Sequence, residues 1–328
     1  MLTREKEALL EKVEEALRLA GWQLLPLSDD HPIRIRAIRD GQTIDAWLHI
    51  WNVSSGGRPS SRPLERRVQV TNIGDRFRSS PGVRTLILGW SPEVEVFAAF
   101  DHLFHSGLIG TSSSLQTDLP ALEDAWQNGI GVFAKNTGEL SIAVRPDMLG
   151  LYLEQMDVLH ASGMDAAMLD ILRRMAASPL DIEPDDIPKQ RRRVMTTTLK
   201  LLRDRRFSQQ VLDAYRHRCA FCEVQLRLLD AAHILPVGHP ESNDKVTNGV
   251  ALCALHHRSY DTGLVTFDDR FTIKVSARSA ADLKAAGRGG GMGPFRAALR
   301  PTLLLPPSRA FRPSPSMINK ANALRGWG

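Results

Sequence analysis

Cysteine is scarce in this chain. The 328 residues contain three, Cys219, Cys222 and Cys253, all in one segment. An odd number gathered in one place argues against a secreted disulfide framework and for metal ligation in a reducing compartment, so a cytoplasmic protein is expected. Long apolar runs are missing too: nothing approaches the roughly 18 residues that begin to suggest a membrane span. The opening stretch MLTREKEALLEKVEEAL is a charged amphipathic helix rather than a signal peptide, and no membrane partner is expected. Internal repeats are absent as well.

What is present is ordinary in amount and uneven in distribution. A hydrophobic share of 43% with 24% charged residues is that of a globular chain, and 328 residues exceed one ordinary core, which predicts two domains. The net charge is +5, yet residues 189–218 hold ten Lys or Arg against two Asp, a net +8, leaving about −3 for the rest. A phosphate backbone would be drawn to that segment, where Arg191, Arg192, Arg193, Arg205 and Arg206 are the candidate contacts. The competing reading is a solvated basic helix.

Along the chain, Leu9, Leu10, Val13 and Leu17 repeat at helical spacing behind a Thr3 cap, with Gly21 as the stop. Residues 33–38 and 43–51 flank Asp40-Gly41 and predict a β-hairpin. Further strands are expected at 66–71, 83–89, 94–100 and 140–145, with a helix at 119–128 capped by Asp118 and stopped by Gly129. Helices follow over 146–160 and 165–176. Residues 178–190, with three prolines and an acidic cluster, mark a boundary, and a basic helix over about 191–217 comes next. Residues 264–276 read as a hairpin and GRGGGMG (287–293) as a loop. The predicted fold class is α+β: a recognition or sensor domain over 1–165, a helical and basic linker over 166–205, a zinc-stapled ββα domain over 206–285, and a Gly/Pro-rich tail over 286–328, draped rather than independently folded.

The segment 217–263 carries the chemistry, with all three cysteines and five of the ten histidines. Cys219-x2-Cys222 faces Cys253-x2-His256, four ligands at the spacing of a closed tetrahedral zinc site. The alternative is two merely buried cysteines and an unrelated third. A structural Zn²⁺ would reinforce a thin core.

Between and after the two knuckles, AAHI (231–234), TNG (247–249) and LCALHHRSYDTG (252–263) resemble the HNH, or ββα-metal, endonucleases, nearest to zinc-bearing bacterial members of the restriction type. The resemblance spans about residues 205–275. It implies that His233 is the general base acting on water, that Asn248 fixes its ring by a hydrogen bond, and that His257 binds a catalytic Mg²⁺ or Mn²⁺. Neighbours on a helix point about 100° apart, so His256 can face zinc while His257 faces the second ion. Asp261, one turn beyond His257, is a candidate second ligand, with pairing to Arg258 or solvent as the alternative. Many family members carry Asp or His just before the base; Ala232 stands there, and strand alternation points Asp230 away from the His233 side.

Other residues receive bland readings beside sharper ones. His239 is a spare ligand or a loop histidine, His217 touches phosphate or solvent, and Arg258 and Lys245 are phosphate clamps or plain surface charge. Trp47, Trp51 and Trp90 are core or stack on a flipped base; the basic loop Arg58 to Arg67 enters a groove or is a solvated linker. The expected function is a metal-dependent endonuclease cutting double-stranded DNA, of restriction or defence type, whose first domain reads a site or a modified base. The alternatives are a nonspecific nuclease gated by a sensor domain or protein partner, and a zinc-dependent DNA-binding protein without cleavage. Cutting both strands with one-metal sites suggests a homodimer.

Overall fold

A computed structural model of the chain describes residues 2–327 apart from 57–60, 111–112, 180–181, 183–186, 188–191 and 227, and without the side chains of 192 and 193. The chain divides into two compact units, Met1–Leu202 and Arg203–Gly328. Both mix helix and sheet, and the class is α+β.

The first unit begins with α1 (Arg4–Leu19), where Thr3 accepts from the Lys6 amide and the buried stripe Leu9, Val13, Ala16 and Leu17 faces the core. Strands β1 (Gln23–Pro26), β2 (Ile33–Arg39) and the long β3 (Gln42–Ser55) follow. Asp40 and Gly41 both take positive φ, 50° and 79°, closing the predicted hairpin with Arg39 opposite Gln42. Next come β4 (Glu65–Gln69), β5 (Arg84–Ser91), β6 (Val96–Phe100) and β7 (Ser114–Asp118), then α2 (Leu119–Asn128), β8 (Ile130–Ala134) and β9 (Leu140–Val144). They form one sheet of order β1-β2-β3-β5-β6-β9-β8, with β4 pairing β3 and β7; the β3–β5 pair is parallel. Helices α3 (Leu149–Ala161) and α4 (Ala166–Ala177) close the unit's regular structure apart from the start of α5.

Alternation along the central strands explains why both sheet faces are covered. Leu86, Leu88, Phe97, Ala99, Ile142 and Val144 share a core with α1, α3 and α4. Their neighbours Ile87, Ala98, Phe100 and Ala143 point into a second core with α2, Val68 and Leu115. Strands β5, β6 and β9 therefore read as near-continuous apolar runs. Sequence patterning found these strands but not β1, β7 or β8.

Helix α5 (Arg192–Ala214) buries Met195, Leu199 and Leu202 in the first unit's core, while Phe207 and Val211 belong to the second unit's. In the second unit, β10 (Leu229–His233) and β11 (Gly249–Cys253) pair antiparallel and run into α6 (Ala254–Asp261), a ββα arrangement. A second hairpin, β12 (Val265–Phe267) and β13 (Ile273–Val275), matches the expected one. Then come α7 (Ala277–Ala285), α8 (Met292–Ala298) and α9 (Pro315–Leu324). The stretch after 286 is more than a tail: two helices form in it, and Leu303, Ile318 and Ala321 are buried in the unit's core. Among the described residues no helix is long and apolar enough to cross a membrane.

Candidate active site

The chain turns sharply after α5, with Arg216 and His217 in left-handed backbone (φ 53° and 52°). Cys219 then donates its amide to the Val224 carbonyl at 2.9 Å and accepts from the Glu223 amide at 2.8 Å, closing a knuckle around Cys219 and Cys222. The Ala220 amide ties this knuckle to Ala251 of β11 at 2.8 Å. At the far end of β11, Cys253 caps α6 and His256 lies in that helix's first turn.

These pieces bring four donors together. The ligand atoms of Cys219, Cys222, Cys253 and His256 all lie within 4.8 Å of one another. His256 Nδ1 is 3.5 Å from Cys219 Sγ and 3.3 Å from Cys253 Sγ, and the Cys222 and Cys253 sulfurs are 3.9 Å apart. A tetrahedral zinc with Zn–S bonds of about 2.3 Å sets its sulfurs roughly 3.8 Å apart, so the spacing fits that ion. Chemistry agrees: burial pushes Cys222 up to about 12 and raises Cys219, a cost that a bound cation offsets. Burial likewise lowers His256, leaving a neutral imidazole suited to ligation.

His257, next in the chain, faces elsewhere. Its Nδ1 lies 3.3 Å from Asp230 Oδ2 and its Nε2 3.4 Å from Asp261 Oδ2. The 100° offset along the helix thus separates the two histidines, as expected. The exclusion of Asp230 needs correction. Alternation does place it on the opposite face of β10 from His233, but it is Asp230 on that opposite face that meets the His257 ring. Ala232 on the same face is fully buried and offers nothing. Asp230 and Asp261 address opposite nitrogens of the ring.

His233 ends β10, and its surroundings differ from those the resemblance implied. Nε2 is 3.0 Å from Asp244 Oδ1, and the ring stacks on Phe207 of α5 at 3.9 Å and 14°. Asn248 does not reach it. The Asn248 Oδ1 accepts from the Leu235 amide at 2.9 Å, while Nδ2 donates to the Asn243 carbonyl at 2.9 Å, with the Leu235 carbonyl and Ser242 Oγ at 3.2 Å. Buried Asn248 organises the loop 234–244, and Asp244, at the end of that loop, is the residue sequence reasoning missed. Its polar setting, ESNDKVTNG, gives no periodicity from which to single it out. The glycine of TNG has a steric reason: Gly249 lies opposite His233 in the register, and a Cβ there would come within 2.3 Å of Val211 and 3.0 Å of Phe207.

No hydrogen bond or ion pair joins the His233 and His257 groups. Of the basic residues, Arg258 is exposed, whereas Arg205 and Arg206 are half-buried and engaged within the protein. Arg191 and the side chains of Arg192 and Arg193 lie outside the described residues, as does Arg58. His239 accepts from the Glu241 amide at 3.1 Å, as a loop histidine does, and His217 pairs with Asp213 at 3.0 Å. Of the three tryptophans, Trp51 lines a cavity together with Lys6, His31, Asn52 and Thr71. Arg34 and Arg78 flank Trp47 at 5.2 and 3.9 Å, Lys6 covers buried Trp51 at 4.7 Å, and buried Trp90 packs on Phe97 at 4.9 Å.

Residues 219–268 match the family described as HNH endonuclease. The chain carries an HNH endonuclease domain. The match covers both Cys/His knuckles, the β10–β11 hairpin and α6, and the protein is a nuclease. In the first unit, residues 44–153 match the family described as Methylase-associated X1. No curated protein matches the chain. A solved structure described as a modification dependent TagI restriction endonuclease is similar at 13% identity and a TM-score of 0.30, over 86% of this chain and 81% of that one. A likeness at that score defines neither fold nor activity.

Proposed function

We propose that the protein is a divalent-metal-dependent DNA endonuclease of restriction type, in which the HNH domain cuts and the first unit supplies selectivity for a site or a modified base. One observation carries the assignment of the centre. His257 Nε2 and Asp261 Oδ2 are 3.4 Å apart, while Asp230 holds the other ring nitrogen. An octahedral Mg²⁺ or Mn²⁺ with bonds of about 2.1 Å places adjacent ligands roughly 3.0 Å apart, so a small closure lets both groups hold it. Asp230 then serves as the outer carboxylate that orients the liganding imidazole. When bound, the ion neutralises charge on a phosphate oxygen and on the departing 3′ oxygen.

The remaining work falls to side chains. His233 takes a proton from a water aimed at phosphorus. In-line displacement calls for the water and the leaving oxygen on opposite sides of phosphorus, so the scissile phosphate has to lie between His233 and the His257–Asp261 pair. The Cys3His set holds a structural zinc that fixes β11 and α6, and with them His257. The basic stretch entering α5 and exposed Arg258 supply sequence-independent attraction to the backbone. The methylase-associated family in the same chain supports a link to DNA modification. Cutting both strands favours two copies on one duplex, checked by sedimentation with and without DNA.

The test is a plasmid assay with Mg²⁺ or Mn²⁺ on substrates of defined methylation. Wild type should nick or linearise, with a rate that depends on modification. His233→Ala should bind in gel shifts without cutting. A wild type that binds but cuts with no metal would sink the nuclease centre, and equal cutting of all plasmids would sink the modification reading.

A further inference from the structure

We propose that Asp244 is the positioning residue of the cleavage reaction, accepting a hydrogen bond from His233 Nε2–H so that the Nδ1 lone pair faces the attacking water. The inference rests on the reading of His233 as the base and adds which nitrogen acts and what holds it. Three observations lead there.

Asp244 Oδ1 is 3.0 Å from Nε2, and both side chains are largely shielded, at 28% and 15% exposed. The hydrogen bond from His233 holds the Asp244 carboxyl below its usual range, with Arg203 adding attraction, so it is ionised at neutral pH and acts as acceptor only. An acceptor-only partner forces the proton of neutral imidazole onto Nε2. Next, Phe207 lies against one face of the ring at 3.9 Å and an interplanar angle of 14°, which restricts its tilt. Finally, Asn248 has no donor left for the ring. Its amide is consumed by Leu235, Ser242 and Asn243. It acts one step back, shaping the loop that delivers Asp244.

The proton accounting is complete. A water O–H bond breaks and its proton goes to Nδ1, while Nε2–H stays directed at Asp244, whose charge stabilises the imidazolium. The hydroxide oxygen bonds phosphorus, and the P–O3′ bond breaks with its electron pair on O3′. That oxygen is protonated from solvent, and the imidazolium returns its proton to water.

The experiment compares wild type, Asp244→Asn, Asp244→Ala and His233→Ala in plasmid cleavage with Mg²⁺ or Mn²⁺, alongside ¹⁵N NMR of the histidine rings. The expected result for Asp244→Asn is a kcat lower on the order of 100-fold, KM nearly unchanged, and a pH–rate profile that differs from wild type. Zinc content and Tm should match wild type, which a merely structural role would not predict. In wild-type spectra His233 should carry its proton on Nε2, and Asp244→Ala should show mixed tautomers. Wild-type rate and pH profile in Asp244→Asn, with His233→Ala inactive, would overturn the inference while the base reading stands. Full activity in His233→Ala would remove the base reading itself. A proton found on Nδ1 of wild-type His233 overturns the inference even if the Asp244 variants fail to fold.

Discussion

Gly249 and His233 face each other across the β10–β11 hairpin, and the absence of a side chain on the first lets Phe207 stack on the ring of the second. Gly249→Ala should therefore act on both stability and chemistry. Overpacking against Val211 and Phe207 is expected to cost about 1–3 kcal/mol, read as a lower urea midpoint. Displacing Phe207 should also free the imidazole, so kcat should fall in preparations that remain folded.

Removing one zinc donor should be more damaging than any surface change. Cys222→Ser leaves two buried thiols and an imidazole around an incomplete site. Zinc measured by atomic absorption should drop from about one equivalent per chain, and the melting transition should broaden or fall steeply, because structural zinc can supply on the order of 10 kcal/mol. Retention of full zinc and Tm would contradict the Cys3His assignment.

The ion-binding groups should separate in size of effect. His257→Ala and Asp261→Asn are expected to abolish Mn²⁺ binding in calorimetry together with cleavage. Asp230→Asn, which touches the ring without needing to touch the ion, should weaken Mn²⁺ binding by about 10–100-fold. Equal loss in all three would make Asp230 a direct ligand.

Acid should loosen the first unit through buried histidine. Burial lowers His49 to about 4; its Nε2 donates to the Arg78 carbonyl at 3.2 Å and its Nδ1 has no partner. The unfolded ring titrates near 6.5, so the unfolded state binds the extra proton first as pH falls. The stability tied to a neutral His49 is complete above about 6.5 and is lost progressively down to about 4. The loss is roughly 3 kcal/mol by linkage, and His49→Gln should flatten the dependence of Tm on pH in that window.

Legibility in the sequence followed the physics of each element. The gathering of the Cys3His donors, the Asp40-Gly41 hairpin and the caps at Thr3 and Asp118 depend on local spacing, and all four could be read directly. The separation of His256 from His257 follows from helix geometry alone. Asp244 and the role of Asn248 did not follow, because a loop's hydrogen bonds are set by packing rather than by period. Asp230 was set aside by a correct alternation argument that lacked one fact: α6 packs so as to bring His257 onto that face. Trp47 read as a candidate stacking platform because nothing in sequence shows that Arg34 and Arg78 already lie on its ring.

The last helix bears on when the centre becomes complete. Arg325 donates to the Ile234 carbonyl and the Tyr260 hydroxyl, both at 3.1 Å, the Ser314 amide donates to the Thr247 carbonyl at 2.9 Å, and Lys320 pairs with Glu241. Two of those contacts hold the loop carrying Asp244, at Ile234 and Glu241, and another holds Thr247 just beyond it. During translation they form only after residue 325 has emerged from the ribosome, so a nascent or prematurely terminated chain lacks the contacts that hold this loop.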